Sequence, residues 1–323
     1  MKAIVMHEYG PPDVLKYEVV NQPSPESGEV LIKVHAVTVN RTLDLWIREG
    51  TSGYHPKLPA ILGMDTAGTI ESVGSGVEGF KPGDRVTAIL RPPVGGGYAE
   101  FVTAADEKTY HIPDNVDYPT AAAVSRHFPM AYSLCRAADL QEGQWVLVMG
   151  AAGSLGAAAV QVAKHRGARV IAAAGTDSRA ESALTNGAEA CVNYRRSDLA
   201  AEVMRITRAK GADAVFENIA DPVLWPGAFN SLAKNGTLVT VGAHGGGEVT
   251  LDVKRLYREG LTVRSGLAHS HPGDADDALA LAAAGIYHSS IHTVLPLSQA
   301  PEAHRIAADS ATLGKVVMDP TLG

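Results

Sequence analysis

The 323-residue sequence is 46% apolar and 20% charged, with a formal charge of −7, the balance of a chain long enough for two domains with sizeable cores. It has no basic tract of the kind that phosphate-backbone binding needs, which argues against a nucleic-acid partner. No apolar run approaches the roughly 20 residues that span a bilayer, and the opening MKAIVMHEYG reads as a strand and turn, not a signal peptide, so a cytoplasmic protein with no membrane partner is expected.

Short strands come first: EVLIKVHAVTV (29–39), GTIESVG (68–74), DRVTAIL (84–90) and YAEFVTA (98–104). The turn signals PSPESG (23–28), KPGD (81–84) and PPVGGG (92–97) separate them, and such punctuation predicts a β-barrel-like fold. After about residue 121 the pattern alternates: WVLVMG, a helix, ARVIAAAG, a helix, EACVNY, a helix, DAVFENIA, a helix, GTLVTVGA. Strands and helices in that order predict an α/β fold with a parallel, doubly wound sheet. LTVRSGLA (261–268) adds one more strand. The Ala-rich helix at 274–285 and the strand GKVVMDP do not complete that sheet and are expected to return to the first domain. The expected organisation is thus a discontinuous catalytic domain, 1–122 with 270–323, carrying an inserted cofactor domain, 123–269.

Within WVLVMGAAGSLGAAAVQVAKHRGARVIAAAG an apolar strand ends at Gly150, and Gly153 and Gly156 follow at three-residue spacing before a helix. Glycines let backbone approach a pyrophosphate, whose charge is favoured at a helix N-terminus. Gly150, Ala152, Gly153, Ser154 and Leu155 are therefore the candidate phosphate contacts. The next strand ends Ala173-Ala174-Gly175-Thr176 without the acid that would receive a ribose 2′-hydroxyl, so NADP(H) is favoured over NAD. Gly175, Thr176 and Ser178 lie beside the adenosine ribose on this reading, and Arg179 offers a planar fork to a 2′-phosphate. Asp177 is the residue that fits least well. Two cysteines, Cys135 and Cys191, are too few for a four-cysteine zinc site and read as inert thiols.

These motifs, with MKAIVMHEYGPPDVLKYE, GVEGFKPGDRV, GTDSRAESALTNGAEACVNYR and GKVVM, resemble the medium-chain dehydrogenase/reductase superfamily, most of all its zinc-independent quinone oxidoreductase branch. The resemblance implies a GroES-like β-barrel catalytic domain, a Rossmann NADP-binding domain, a cleft between them and a homodimer joined at the Rossmann sheet edge. In that branch a Lys of GTxxK and the Tyr of NYR hold the 2′-phosphate; the matching positions here are Arg179 and Tyr194. It further implies cofactor contacts at Asn218, at Gly242, Ala243 and His244, and at Ser265, Gly266 and Leu267.

Several positions depart from the zinc-dependent relatives. In ILGMDTAGTIESVGSGV (61–77) Met64 and Asp65 follow Gly63, where those relatives carry a zinc-binding His and a Glu. The loop VNRTLDLW has no Cys, and the segment from Asp84 to Tyr98 lacks a four-cysteine lobe. No metal is expected. Pro129-Met130-Ala131-Tyr132 stands where the branch usually has LTAY, and the loop from Asn40 to Asp44 is one residue longer than usual.

Without a Lewis acid, hydride addition suits quinones and α,β-unsaturated carbonyls, whose product anion is delocalised. The expected function is NADPH-dependent reduction of such a small molecule. The alternatives are an NADP-dependent carbonyl or alcohol dehydrogenase of specialised substrate and a nucleotide-binding protein with little catalysis. Asn40 is the candidate donor to a developing oxyanion, and His127 the candidate proton donor. His269 and His271, if on an alternating strand, share one face.

Overall fold

The computed structural model describes residues 1–92 and 95–322; Pro93 and Val94, within the expected PPVGGG turn, lie outside the described residues. The chain opens with β1 (Lys2–Met6), β2 (Leu15–Val19), β3 (Glu29–Val39) and the short helix α1 (Asp44–Glu49). Strands β4 (Asp65–Val73), β5 (Arg85–Ile89), β6 (Phe101–Ala105) and β7 (Thr109–His111) follow, then the helix α2 (Tyr118–Ala137). An alternating series comes next: β8 (Trp145–Met149), α3 (Ser154–His165), β9 (Arg169–Ala174), α4 (Asp177–Thr185), β10 (Ala190–Asn193) and α5 (Leu199–Ile206). It continues through β11 (Ala212–Phe216), α6 (Trp225–Asn230), β12 (Leu232–Thr240), α7 (Val253–Arg258) and β13 (Thr262–Ser265). The last elements are α8 (Asp274–Ala283), β14 (Ile291–Pro296), α9 (Ala300–Ala308) and β15 (Lys315–Asp319).

Two compact units result: Met1–Arg126 with Ala275–Gly323, and His127–Asp274. The divisions fall at 126/127, inside the unbroken helix α2, and at 274/275, where the sequence leads us to expect 122/123 and 269/270.

The first unit is built on a mixed sheet of order β14-β15-β3-β4-β5-β7, with β6 also paired to β3. The long strand β3 places Val30, Ile32 and Val34, and then, past a register shift against β4 at Val34/Ala36, Val37 and Val39, in one core with Met64, Ile70 and Val86. The C-terminal strand β15 lies between β14 and β3, antiparallel to β3 with Val316 opposite Val39.

The second unit is a six-stranded parallel sheet of order β10-β9-β8-β11-β12-β13. This is the doubly wound order that reverses between β8 and β11, where open α/β sheets bind ligands. The central β8 is buried along its length, as strands covered on both faces are.

One expectation fails here. The strand predicted at 261–268 stops at Ser265, and Leu267–His269 forms a single 3₁₀ turn. Gly266 donates its N–H to the Thr240 carbonyl at 2.9 Å and presses on Val241, which leaves no room for a side chain. The His269 carbonyl then receives the Arg136 Nε at 2.7 Å, and His271 Nδ1 receives the Gly273 N–H at 3.2 Å. The two histidines therefore share no strand face. Among the described residues, no helix is long and apolar enough to cross a membrane.

Candidate active site

In the second unit the predicted cofactor residues gather at the C-terminal ends of the parallel strands. Gly150, at φ 64°, turns the chain out of β8, and the Gly153 N–H closes the turn on the Gly150 carbonyl at 2.9 Å. Helix α3 starts with Gly153 as an extended N-cap that supplies no side-chain hydrogen bond, and its first turn holds no acid. Its opening N–H groups at Ser154 and Leu155 are thus left with the dipole's positive end for an anion. Gly156 is the residue that lets helix and turn meet: a Cβ there would strike the Gly150 carbonyl oxygen.

At the end of β9, Thr176 Oγ1 caps α4 by accepting the Arg179 N–H, and it lies 3.3 Å from Ser178 Oγ. Strand β10 runs parallel to β9 with Asn193 opposite Ala174, which carries Tyr194 alongside Gly175. A Cβ on Gly175 would sit 3.1 Å from the Tyr194 hydroxyl and 3.3 Å from Arg195 Nε. Burial pushes the Tyr194 phenol up, and the charges of Arg195 and Arg179 oppose that shift. Arg195 is a cation that sequence reasoning missed. The signal lay in the parallel register of NYRR with AAAG. Asp177 is resolved as well: it receives Asn193 Nδ2 at 2.7 Å and pairs with Arg196, so its charge is balanced beside the cradle.

Asn218 follows β11. Its Oδ1 receives the Val241 N–H at 3.0 Å, while its buried Nδ2 finds no hydrogen-bond partner among the described residues. Glu217 fixes this turn: one carboxylate oxygen receives the Ile219 N–H at 3.0 Å and the other the Ala220 N–H at 2.9 Å. Burial raises its pKa, and those two N–H groups pull it back. Gly242 packs on the Asn218 carbonyl and beside the His244 ring, and Ala243 is exposed between them. Ser265 Oγ receives the Leu267 N–H at 3.3 Å. An uncapped helix N-terminus, a cradle beside a tyrosine and arginines, and a buried amide donor with nothing to bind fit the phosphates, the 2′-phosphate and a further polar group of a dinucleotide.

The first unit holds a second polar assembly, around Asp65. Gly63 precedes it at φ 95°, and a Cβ there would collide with the Tyr98 ring. Met64 points into the apolar core and is fully buried. The Asp65 carboxylate, also fully buried, pairs with Arg126 Nε and accepts from Asn40 Nδ2 at 2.8 Å and Thr38 Oγ1 at 3.2 Å. Arg126 Nη2 reaches the Leu90 carbonyl at 3.2 Å and the Met64 carbonyl at 3.4 Å.

Asn40 is held at both ends of its amide, because Lys315 Nζ donates to its Oδ1 at 2.9 Å. Its backbone N–H donates to Asp44 Oδ2 at 2.7 Å. Burial drives the Lys315 amine down to about 8, against the attraction of Asp65 and Asp44. It lifts the Asp44 carboxyl to about 6, a rise that the Asn40 N–H limits. Tyr98, beside Asp44, also faces His304 Nε2 at 3.1 Å, and Arg48 donates to His304 Nδ1 at 3.3 Å. Burial and that arginine hold His304 neutral, with a pKa of about 3.

His127 is half-buried on α2, one residue past Arg126 and in the other unit. Successive helical residues point about 100° apart. Cys135 is buried, which pushes its thiol up to about 12, and Cys191 is half-buried; both are free. Among the described residues, no group of three or more His, Cys, Asp or Glu is placed to hold a metal ion.

Comparison with known proteins adds the family context. The alcohol dehydrogenase GroES-like domain matches residues 26–114, and the zinc-binding dehydrogenase domain matches residues 154–284. The chain is 34% identical to a quinone oxidoreductase of Rattus norvegicus, over 98% of this chain and 97% of that one. It is 31% identical to a 2-haloacrylate reductase of Burkholderia sp, over 98% of each. Its structure is similar to that of the Escherichia coli quinone oxidoreductase complexed with NADPH, with a TM-score of 0.87 and 28% identity, covering 99% of this chain and 100% of that one.

Proposed function

Because the chain belongs to the medium-chain dehydrogenase/reductase superfamily, is quinone oxidoreductase-like and uses NADP(H), we propose that it reduces quinones or α,β-unsaturated carbonyls without zinc. The observation that carries this reading is the state of Met64 and Asp65. One thioether lies in the apolar core and one carboxylate is bound to Arg126, Asn40 and Thr38. A thioether is a poor ligand for zinc, and this carboxylate is already engaged.

In this reading the N–H groups opening α3 hold the pyrophosphate, and Arg179, Tyr194 and Arg195 hold the 2′-phosphate. Asn218 gives its unclaimed Nδ2 hydrogens to the bound dinucleotide, steadied by Glu217 behind it. The reduced nicotinamide, when bound, supplies the hydride. Acceptors whose own conjugation spreads the resulting negative charge need less stabilisation than a simple aldehyde. The Burkholderia relative is named for a conjugated acid, which supports that class. The reading includes a cytoplasmic location, in keeping with two free cysteines. It also includes a homodimer paired through β13, an edge strand with Val263, Tyr257 and Val253 exposed on or near it.

Anaerobic mixing with NADPH and a panel of quinones and enones tests the chemistry. Oxidation of NADPH is expected at rates that dialysis against a chelator leaves unchanged. If no acceptor oxidises bound NADPH, or if the chelator abolishes the rate, the reading is wrong.

A further inference from the structure

The ionisable side chains of the Asp65 assembly differ in one respect. Asp44, Asp65, Arg48, Lys315 and His304 are all buried, with exposures of 3% or less. Arg126 alone reaches out of this network, with its side chain 16% exposed. Its Nε is tied to Asp65 and its Nη2 to the carbonyls of Met64 and Leu90. Nη1 carries two N–H groups and has no hydrogen-bond partner among the described residues. Asn40, the donor expected from the sequence, has its amide engaged by Asp65 and Lys315.

A buried carboxylate that fixes one guanidinium edge is an expensive arrangement if it serves stability alone, since apolar groups of the same volume often do as well. It is the arrangement that preorganises a cationic donor, with the rotamer locked from behind and one edge open. We infer that Arg126 binds the carbonyl oxygen of the acceptor through its open Nη1 edge and stabilises the negative charge that forms there. The inference rests on the reductase reading above. The acceptor gains hydride at carbon, its conjugated π electrons move to the carbonyl oxygen, and water returns the proton. Arg126 remains charged throughout, so it acts by electrostatics and not by proton transfer. Asp65 is then a positioning residue.

The probe is 4-nitrophenol, whose yellow anion mimics the oxyanion and whose titration is read by absorbance, with protein and NADP+ present. The variants are R126Q, R126K and D65N/R126Q. The double variant removes both charges, so it avoids leaving Asp65 buried and uncompensated. In the parent protein the bound phenol is expected to titrate at least about one unit below its free value. R126Q and D65N/R126Q lose that shift, and R126K keeps part of it. With a quinone the parent reduces, kcat falls about 100-fold in D65N/R126Q while KM changes less. NADPH affinity and the melting temperature of the double variant stay near the parent's. If bound 4-nitrophenol titrates at its solution value in the parent, or the double variant keeps the parent's kcat, Arg126 has no such role. If the parent reduces no acceptor, the reductase reading falls, and the phenol titration still decides the inference.

Discussion

Lys315 shows burial outweighing two neighbouring carboxylates. Its amine titrates near 8 in the folded protein and near 10.5 in an unfolded chain. Between those values the unfolded chain holds a proton that the folded one has released, so this residue makes stability rise with pH from about 8 to about 10.5. Below that window both states are charged and the folded state carries the full penalty of a buried ammonium. The melting-temperature difference between the parent and Lys315→Met is therefore expected to shift in the parent's favour across the window; a difference constant with pH would show that another group titrates. Arg195 gives a second residue-scale prediction. Its guanidinium lies beside Tyr194 and Gly175, so Arg195→Leu should weaken NADPH about tenfold or more, the worth of a charge-assisted hydrogen bond. NADH, which lacks the 2′-phosphate, should bind unchanged in a fluorescence titration, and equal losses for both cofactors would remove Arg195 from the phosphate site.

Among the elements, α3 and α4 begin in opposite ways. Helix α4 is capped by Thr176, whereas α3 begins at a glycine with no side-chain cap. Gly153→Asp would place a good capping carboxylate at an extended position whose Cβ has only the Gly150 carbonyl near it, at 3.3 Å. The expected result is a melting temperature equal to or above the parent's with NADPH binding reduced at least about tenfold, because the same carboxylate repels the pyrophosphate. Retained binding would mean that the α3 terminus does not hold the phosphates. This element scale is also where the sequence was most readable. The alternation of apolar strands with helices foretold the parallel sheet, and glycine spacing foretold the turn between β8 and α3. The strand expected at 261–268 stops short at Ser265 because Gly266 packs on Val241, a contact between segments that no local pattern records. Arg126 and Arg195 are hard to read for a related reason: each acquires its meaning from residues distant in sequence, Asp65 in one case and Gly175, through the pairing of β9 with β10, in the other. The sequence singles out Asn40 as a donor, but not its two amide partners, Asp65 and Lys315, which come from strands 25 and 275 positions away.

On the scale of the whole molecule, β13 is an edge of the parallel sheet, pairing only with β12 among the described residues. An unpaired edge invites another strand, and Val263 on it is exposed, as are Val253 and Tyr257 on the preceding helix. Light scattering should give twice the mass of one chain for the parent and a single-chain mass for Val263→Lys; a monomeric parent would dismiss the pairing.

The placement of β15 between β14 and β3 has a consequence for synthesis. The parallel-sheet unit ends at Asp274, so every residue it needs has been made before β15 and its partners for β3 at 316–318. The first unit begins earlier yet finishes last, since Val37–Val39 of β3 await their partners at 316–318 and Asn40 awaits Lys315. During translation, therefore, the parallel-sheet unit can close before the other, while an apolar strand edge on β3 stays open to misassociation until residues 316–318 emerge.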